Sequence, residues 1–125
     1  MGIFKEQQIA KIWIENDIMN IVFHPETVIS IEDAKKVVQE RIKLCNNKDY
    51  PIYADVGGVI SIDAATRKYF KGPEARKNAK ATAMYVNTPI SRFLGNLFMK
   101  VDRPIMPTKM FTNREKALKW LNQFK

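Results

Sequence analysis

Four times along this 125-residue chain, an apolar strand pattern runs into a short polar turn and then into a helical pattern with an apolar stripe. The units are Ile21-Val22-Phe23 into Ser30 to Cys45, Ile52 to Val56 into Ser61 to Phe70, Thr82 to Val86 into Thr88 to Val101, and Lys109-Met110-Phe111 into Asn113 to Phe124. Strands joined through helices pair in parallel, because a parallel neighbour needs a long crossover where an antiparallel one needs only a tight turn. Such crossovers wind with one hand. The plan therefore predicts a mostly parallel sheet whose strand carboxyl ends gather along one edge. It restricts the fold far more than the activity.

Before these units the chain reads as a hairpin. Ala10 to Glu15 and Ile18 to His24 flank Asn16-Asp17, a pair that tolerates the positive φ of a two-residue primed turn. Closing that turn sets Glu15 opposite Ile18. One face then carries Ala10, Ile12, Ile14, Met19, Ile21 and Phe23, and this apolar set is expected to meet the helices. The other face mixes Trp13, Ile18 and Val22 with Lys11, Glu15 and Asn20, so no helix of this chain is expected to cover it. Trp13, Ile18 and Val22 become a candidate contact surface, covered by loops and the Ile3-Phe4 segment or by a second copy in a homodimer.

Helix boundaries are marked by their caps. Ser30 precedes Glu32 and Asp33, Thr88-Pro89 opens the third helix, and Thr112-Asn113-Arg114-Glu115 reads as a capping box. Gly72-Pro73 breaks the second helix and starts a short extra turn. The stripe Ile90, Phe93, Leu94, Leu97, Phe98 and Val101 is the cleanest in the chain and predicts a buried face. The resulting fold class is α/β: an amino-terminal hairpin followed by right-handed βα units, in a mixed five-stranded sheet with helices mainly on one face.

Length and a hydrophobic fraction of 46% suit one domain, residues 1–125, with a core of its own. The one cysteine, Cys45, cannot form a disulfide within the chain, which points to a reducing cytoplasm. Met1 to Gln8 has no apolar run of signal-peptide length. No stretch approaches the roughly 18 apolar residues of a membrane span.

The order strand-strand-helix-strand-helix-strand-helix-strand-helix resembles the STAS domain family, founded on bacterial anti-sigma-factor antagonists of the SpoIIAA type. Tyr53-Ala54-Asp55-Val56-Gly57-Gly58-Val59-Ile60-Ser61-Ile62-Asp63-Ala64-Ala65-Thr66 is similar to that family's strand, switch loop and helix start. Asn87-Thr88-Pro89-Ile90-Ser91, Gly95-Asn96, Phe111-Thr112 and Ala117-Leu118-Lys119-Trp120-Leu121 resemble a branch of small uncharacterised bacterial STAS-like proteins. The resemblance implies a SpoIIAA-like fold and a regulatory, partner-binding habit. In that family two small hydroxyl residues follow the loop aspartate, and a kinase partner phosphorylates the second. Here Ala64 and Ala65 follow Asp63, and neither Ser61 nor Thr66 matches the phosphorylated position.

In an open sheet of this kind, ligands and partners collect beyond the strands' carboxyl ends. Candidate partner-binding residues there are Asp55, Gly57, Gly58, Ser61, Asp63, Thr66, Asn87, Thr88 and Ser91, with Thr112 and Asn113 nearby. Ser61, Thr88 and Thr112 also serve as helix caps. Gly57-Gly58 lacks the spacing and following lysine-hydroxyl pair of a phosphate loop. His24 is the only histidine, no His/Cys/carboxylate cluster has metal-ligand spacing, and an enzyme, a metal and a cofactor are not expected.

The net charge of +8 concentrates in Arg67, Lys68, Lys71, Arg76, Lys77 and Lys80, with Glu74 the only acid among them. A solvated helix face explains this patch better than nucleic-acid binding, because aromatic residues are not interleaved with the cations. The leading expectation is a non-enzymatic module that binds a protein partner through the switch edge. The alternatives are an apolar small-molecule or lipid carrier, with a pocket under the third helix near Phe93, Leu97, Phe98 and Met99, and a weak nucleic-acid binder. Met99, Met106 and Met110 add soft apolar surface suited to filling core gaps.

Overall fold

The computed structural model describes residues 4–6 and 9–125. Strand β1 (Phe4–Glu6) pairs antiparallel with β2 (Ala10–Glu15), and β2 with β3 (Ile18–Phe23). Asn16 and Asp17 take φ of 53° and 60°, the primed turn their types allow, and Glu15 stands opposite Ile18 as the sequence predicts. After β4 (Thr27–Ile29) come α1 (Ile31–Cys45), β5 (Tyr50–Asp55), β6 (Val59–Ile62), α2 (Ala64–Phe70) and α3 (Pro73–Arg76). Then follow β7 (Ala79–Tyr85), α4 (Pro89–Leu97), β8 (Thr108–Phe111) and α5 (Arg114–Leu121).

The main sheet has the order β1-β2-β3-β5-β7-β8, and the pairs from β3 through β8 are parallel. It contains the five expected strands, with β1 added beyond β2. Strands β4 and β6 form a separate parallel pair that the sequence did not reveal. The expected apolar hairpin face is the core face: Ala10, Ile12 and Met19 are fully buried, together with Ile21 and Phe23. Against it pack α1 through Ala34 and Val37, with Tyr69, Phe70 and Leu94 around them. Each large apolar side chain buried in this layer contributes about 1.5–3 kcal/mol.

Most of the expected caps are present. Ser30 accepts from the Asp33 N–H at 3.1 Å, and Asn46 ends α1 at φ 48°. Thr88 and Ser91 satisfy each other's backbone N–H groups in a reciprocal box, with Pro89 at the first helical position. Two assignments shift. Ser61 lies inside β6, and Asp63 caps α2 by accepting from the Thr66 N–H at 2.8 Å. Asn113, not Thr112, caps α5, accepting from the Lys116 N–H at 2.9 Å. Ser61 is held in the unforeseen strand β6, two residues short of the cap position, whereas β8 ends at Phe111 as its pattern predicts and Thr112 falls one residue before the capping Asn113.

The mixed hairpin face is not left bare by the helices. Helix α5 lies on it, burying Ala117 and Leu121 against Ile18, Tyr53, Ala81 and Ala83. Ile18 is only 4% exposed, so it cannot serve as a contact residue. Trp13 and Val22 stay half-buried toward the β2 side, and Trp13 Nε1 donates to Glu15 at 3.0 Å. Ile3 lies outside the described residues. The helices α1 to α4 share the other face, so the covering is mainly one-sided as expected.

The third-helix stripe turns out differently. Ile90, Phe93 and Val101 are 49%, 63% and 65% exposed, while Ser91 and Gly95 are the buried residues of α4. A Cβ at Gly95 would stand 3.1 Å from Met110 Cε and 3.3 Å from Val86 Cγ1, so the helix backbone lies almost on the sheet. The apolar arc is wider than this narrow contact, and only its Leu94 and Phe98 side turns inward. The helix runs on into a turn of π-helix, Phe98–Asp102.

Two adjacent glycines in the β5–β6 loop permit a direct check of this packing. A Cβ at Gly58 would meet the His24 backbone carbonyl oxygen at 2.3 Å, whereas one at Gly57 would meet the Asn87 side-chain oxygen at 2.1 Å. Backbone cannot step aside, but an Asn side chain can rotate. Gly58→Ala should cost about 1–3 kcal/mol in urea unfolding and Gly57→Ala clearly less; the reverse order would contradict this loop geometry.

Candidate functional site

The carboxyl ends of β3, β5 and β7 bring part of the expected edge together. The Gly57 N–H donates to Asp55 Oδ1 at 3.0 Å, Val56 N–H reaches the Tyr85 carbonyl at 3.1 Å, and Asn87 leans over Gly57. Gly58 lies against the backbone of His24, beyond the end of β3. Thr88 and Ser91 follow at the start of α4, yet Ser91 is completely buried and engaged in the capping box. It is a structural residue, not a contact one. Thr66 is also completely buried, because it starts the inward face of α2.

Ser61 lies on β6 and Asp63 just beyond it, and both are exposed. Hydrogen bonding from Thr66 holds the Asp63 carboxyl below its ordinary value. Ala64 and Ala65 are exposed on the first turn of α2. Beside them, Ile60 on β6 is 44% exposed, and α4, which lies along β6, exposes Ile90 and Phe93. Among the described residues, then, an exposed acidic helix cap follows β6, and the adjoining β6 and α4 expose Ile60, Ile90 and Phe93. The sequence pattern had placed Ile90 and Phe93 on a buried helix face.

The basic patch divides. Lys68, Lys77 and Lys80 are exposed. Arg67 pairs with Asp102 at 2.8 Å and donates to the Ile62 carbonyl at 3.0 Å, while Lys71 Nζ donates to the Asp102 carbonyl at 2.7 Å. Arg67, Lys71 and Arg76 line a cavity of about 150 Å³ between the sheet and the helices α1, α2 and α4. The cavity lies under α4, where the sequence suggested a pocket, but Leu94, Gly95 and Phe98 roof it; Phe93, Leu97 and Met99 are not among its lining residues. Met106 lines it, and Met110 fills the gap beneath Gly95.

One residue of this cavity escaped the sequence reading. Arg41 is only 2% exposed and donates to the Ala75 carbonyl at 2.9 Å, with Cys45 Sγ at 3.9 Å. Burial weakens its hold on the proton, and burial likewise raises the neighbouring Cys45 thiol. A signal was available: Arg41 falls four residues after Val37, three after Val38 and four before Cys45, on the buried stripe itself. No group of three His, Cys, Asp or Glu residues capable of holding a metal occurs among the described residues. No helix among them is long and apolar enough to cross a membrane.

The family model for the domain of unknown function DUF7793 matches residues 12–125. The chain belongs to the DUF7793 family. No curated protein matches it. Among solved structures it is similar to an uncharacterised protein of the DUF3478 family with a SpoIIAA-like fold, from Shewanella loihica PV-4. The TM-score is 0.57 at 12% identity, over 97% of this chain and 92% of that one. A protein of unknown function from Arthrobacter sp. FB24 aligns at 24% identity over 90% of this chain and 92% of its own, with a TM-score of 0.34. At 12% identity the first likeness speaks for the fold, and the fold is SpoIIAA-like. The STAS resemblance therefore holds at the level of architecture, while the matching family is DUF7793.

Asp55 offers a pH test of the edge. Burial raises its carboxyl above the ordinary value, against the opposing pull of the Gly57 N–H and the Arg114 charge. The folded chain thus binds this proton more tightly than the unfolded one, and stability is lost as pH rises through and beyond the ordinary carboxylate range. Asp55→Asn, whose side-chain oxygen can still accept from Gly57, should raise Tm at pH 7. Below about pH 3, where the carboxyl is protonated in both states, the difference should vanish. A variant that melts lower at pH 7 would contradict the assigned burial.

Proposed function

We propose that this DUF7793 chain is a non-enzymatic STAS-like interaction module that binds a protein partner through the edge formed by Asp63, the start of α2 and the outer side of α4. The observation that carries this reading is the exposure of Ile60, Ile90 and Phe93 on the adjoining β6 and α4, with the exposed Asp63 cap just after β6. A chain of this size gains by burying such side chains, about 1.5–3 kcal/mol each, so leaving several uncovered on one edge fits a surface that a partner covers. Ala64 and Ala65 offer no hydroxyl where the STAS family carries its phosphorylated residue. Binding here would accordingly be regulated in another way, or not at all.

A protein partner suits this surface better than nucleic acid does. Three cations of the basic patch, Arg67, Lys71 and Arg76, face the cavity, which leaves Lys68, Lys77 and Lys80 as its outward charge. Affinity capture from the native cell extract, comparing the parent chain with Asp63→Lys, Phe93→Glu and Lys116→Glu, tests the reading. Lys116 is exposed on α5, on the other side of the sheet. Expected is a specific partner weakened about tenfold or more by the Phe93 change, reduced by the Asp63 change and retained by the Lys116 variant. Equal capture by all four proteins would eliminate the edge as the recognition surface. Sedimentation of the purified chain shows whether a second copy is that partner.

A further inference from the structure

The cavity beneath α4 is lined by two kinds of chemistry. Most of its wall is hydrocarbon from the sheet and helices, including Ile21, Ile52, Val37, Leu94 and Phe98. At about 150 Å³ it is the size of a cavity that accepts a benzene-sized guest. The remaining wall carries Arg41, Arg67, Lys71 and Arg76.

The partners of these cations differ. Arg67 and Lys71 converge on Asp102. Arg41 is buried with a backbone carbonyl and a thiol as its hydrogen-bond partners, and no carboxylate pairs with it among the described residues. Arg76 follows Ala75, whose carbonyl holds Arg41, and the Arg76 Nε is buried with no hydrogen-bond partner among the described residues. A buried cation such as Arg41 is ordinarily paired with a carboxylate, because desolvation otherwise goes uncompensated; Arg76 is part-buried, with its Nε occluded. Arg41 and Arg76 both line the apolar space, Arg76 with one buried N–H unused, and a guanidinium carries the donor fork that a carboxylate or phosphate accepts. Access lies at the Pro104–Met106 segment: Ile105 lines the cavity and is nonetheless 73% exposed.

We infer that the cavity binds a small amphiphilic acid, a carboxylate or phosphate monoester on an apolar ring or short chain. The acid group would lie against Arg41 and Arg76, and the apolar body under Leu94 and Phe98. This site is separate from the outer edge of α4 and stands whether or not a protein partner binds there.

Calorimetric titration of the full chain with octanoate, octyl phosphate and 1-octanol tests the inference, each ligand being kept below the concentration at which it self-associates. Expected is saturable binding of at least one of the two acids, with octanol weaker by about tenfold or more, the loss that accompanies a missing charge-assisted pair. Arg76→Gln should cut the preference for the acid severalfold, Arg41 supplying the remainder, while leaving octanol binding nearly unchanged. Leu94→Trp, which fills the cavity, should weaken all three ligands; circular dichroism confirms that each variant is folded. The comparison of octanoate with octanol in the parent chain needs no variant. Equal affinity for octanol and both acids, an acid preference undiminished by Arg76→Gln, or no binding of any probe would each overturn the inference.

Discussion

Helix α4 can approach the sheet only because its inward contact consists of Ser91 and Gly95. With Gly95 almost touching Met110 and Val86, the helix axis is fixed close to β7 and β8. Two consequences follow from that one contact. Leu94 and Phe98 are set above the cavity, and Ile90, Phe93 and Val101 are carried out beyond the edge of the packed layer. A larger residue at position 95 would lift the helix and change both surfaces together. The inner ligand space and the outer apolar strip are thus opposite sides of one closely seated helix.

Much of the fold was legible because it depends on local signals. The hairpin register follows from Asn16-Asp17, whose backbone takes the positive φ their side chains tolerate, and from the alternation of Ile12, Met19, Ile21 and Phe23. Ser30, Thr88 and Asn46 act where their chemistry predicts. What the sequence concealed was non-local. The β4–β6 pair joins two short segments about 30 residues apart, with neither a turn signature nor a long periodic run to announce it. The position of α5 was hidden because Ile18 shares its hairpin face with Lys11, Glu15 and Asn20, and that mixed pattern reads as an open face. Small residues, Ala81, Ala83 and Ala117, make the interface there, and small side chains give a weak apolar signal.

The candidate site was legible in part for a related reason. Asp55, Gly57 and Asn87 do converge, as strand carboxyl ends in such a sheet should. Thr66 and Ser91 looked like surface hydroxyls, yet both are fully buried on the first turns of their helices. The cleanest apolar stripe proved half external, since periodicity reports that a helix has an apolar side and not how much of it finds a partner. Arg41 shows the converse. Its place on a buried stripe was readable from spacing alone, but a charged residue there is easily assigned to the solvent side, where most arginines lie.

The seating of α4 is tested most directly by thiol accessibility. Cysteine placed singly at Phe93 or Ser91 in the full chain can be titrated with a water-soluble disulfide reagent, with buried Cys45 as the slow internal reference. Expected is that Phe93→Cys reacts at nearly the rate of a free thiol, while Ser91→Cys, close to isosteric with the native residue, reacts as slowly as Cys45. Rapid reaction at position 91 with protection at position 93 would mean that the apolar stripe faces the sheet, and neither the cavity roof nor the outer strip would then exist as described.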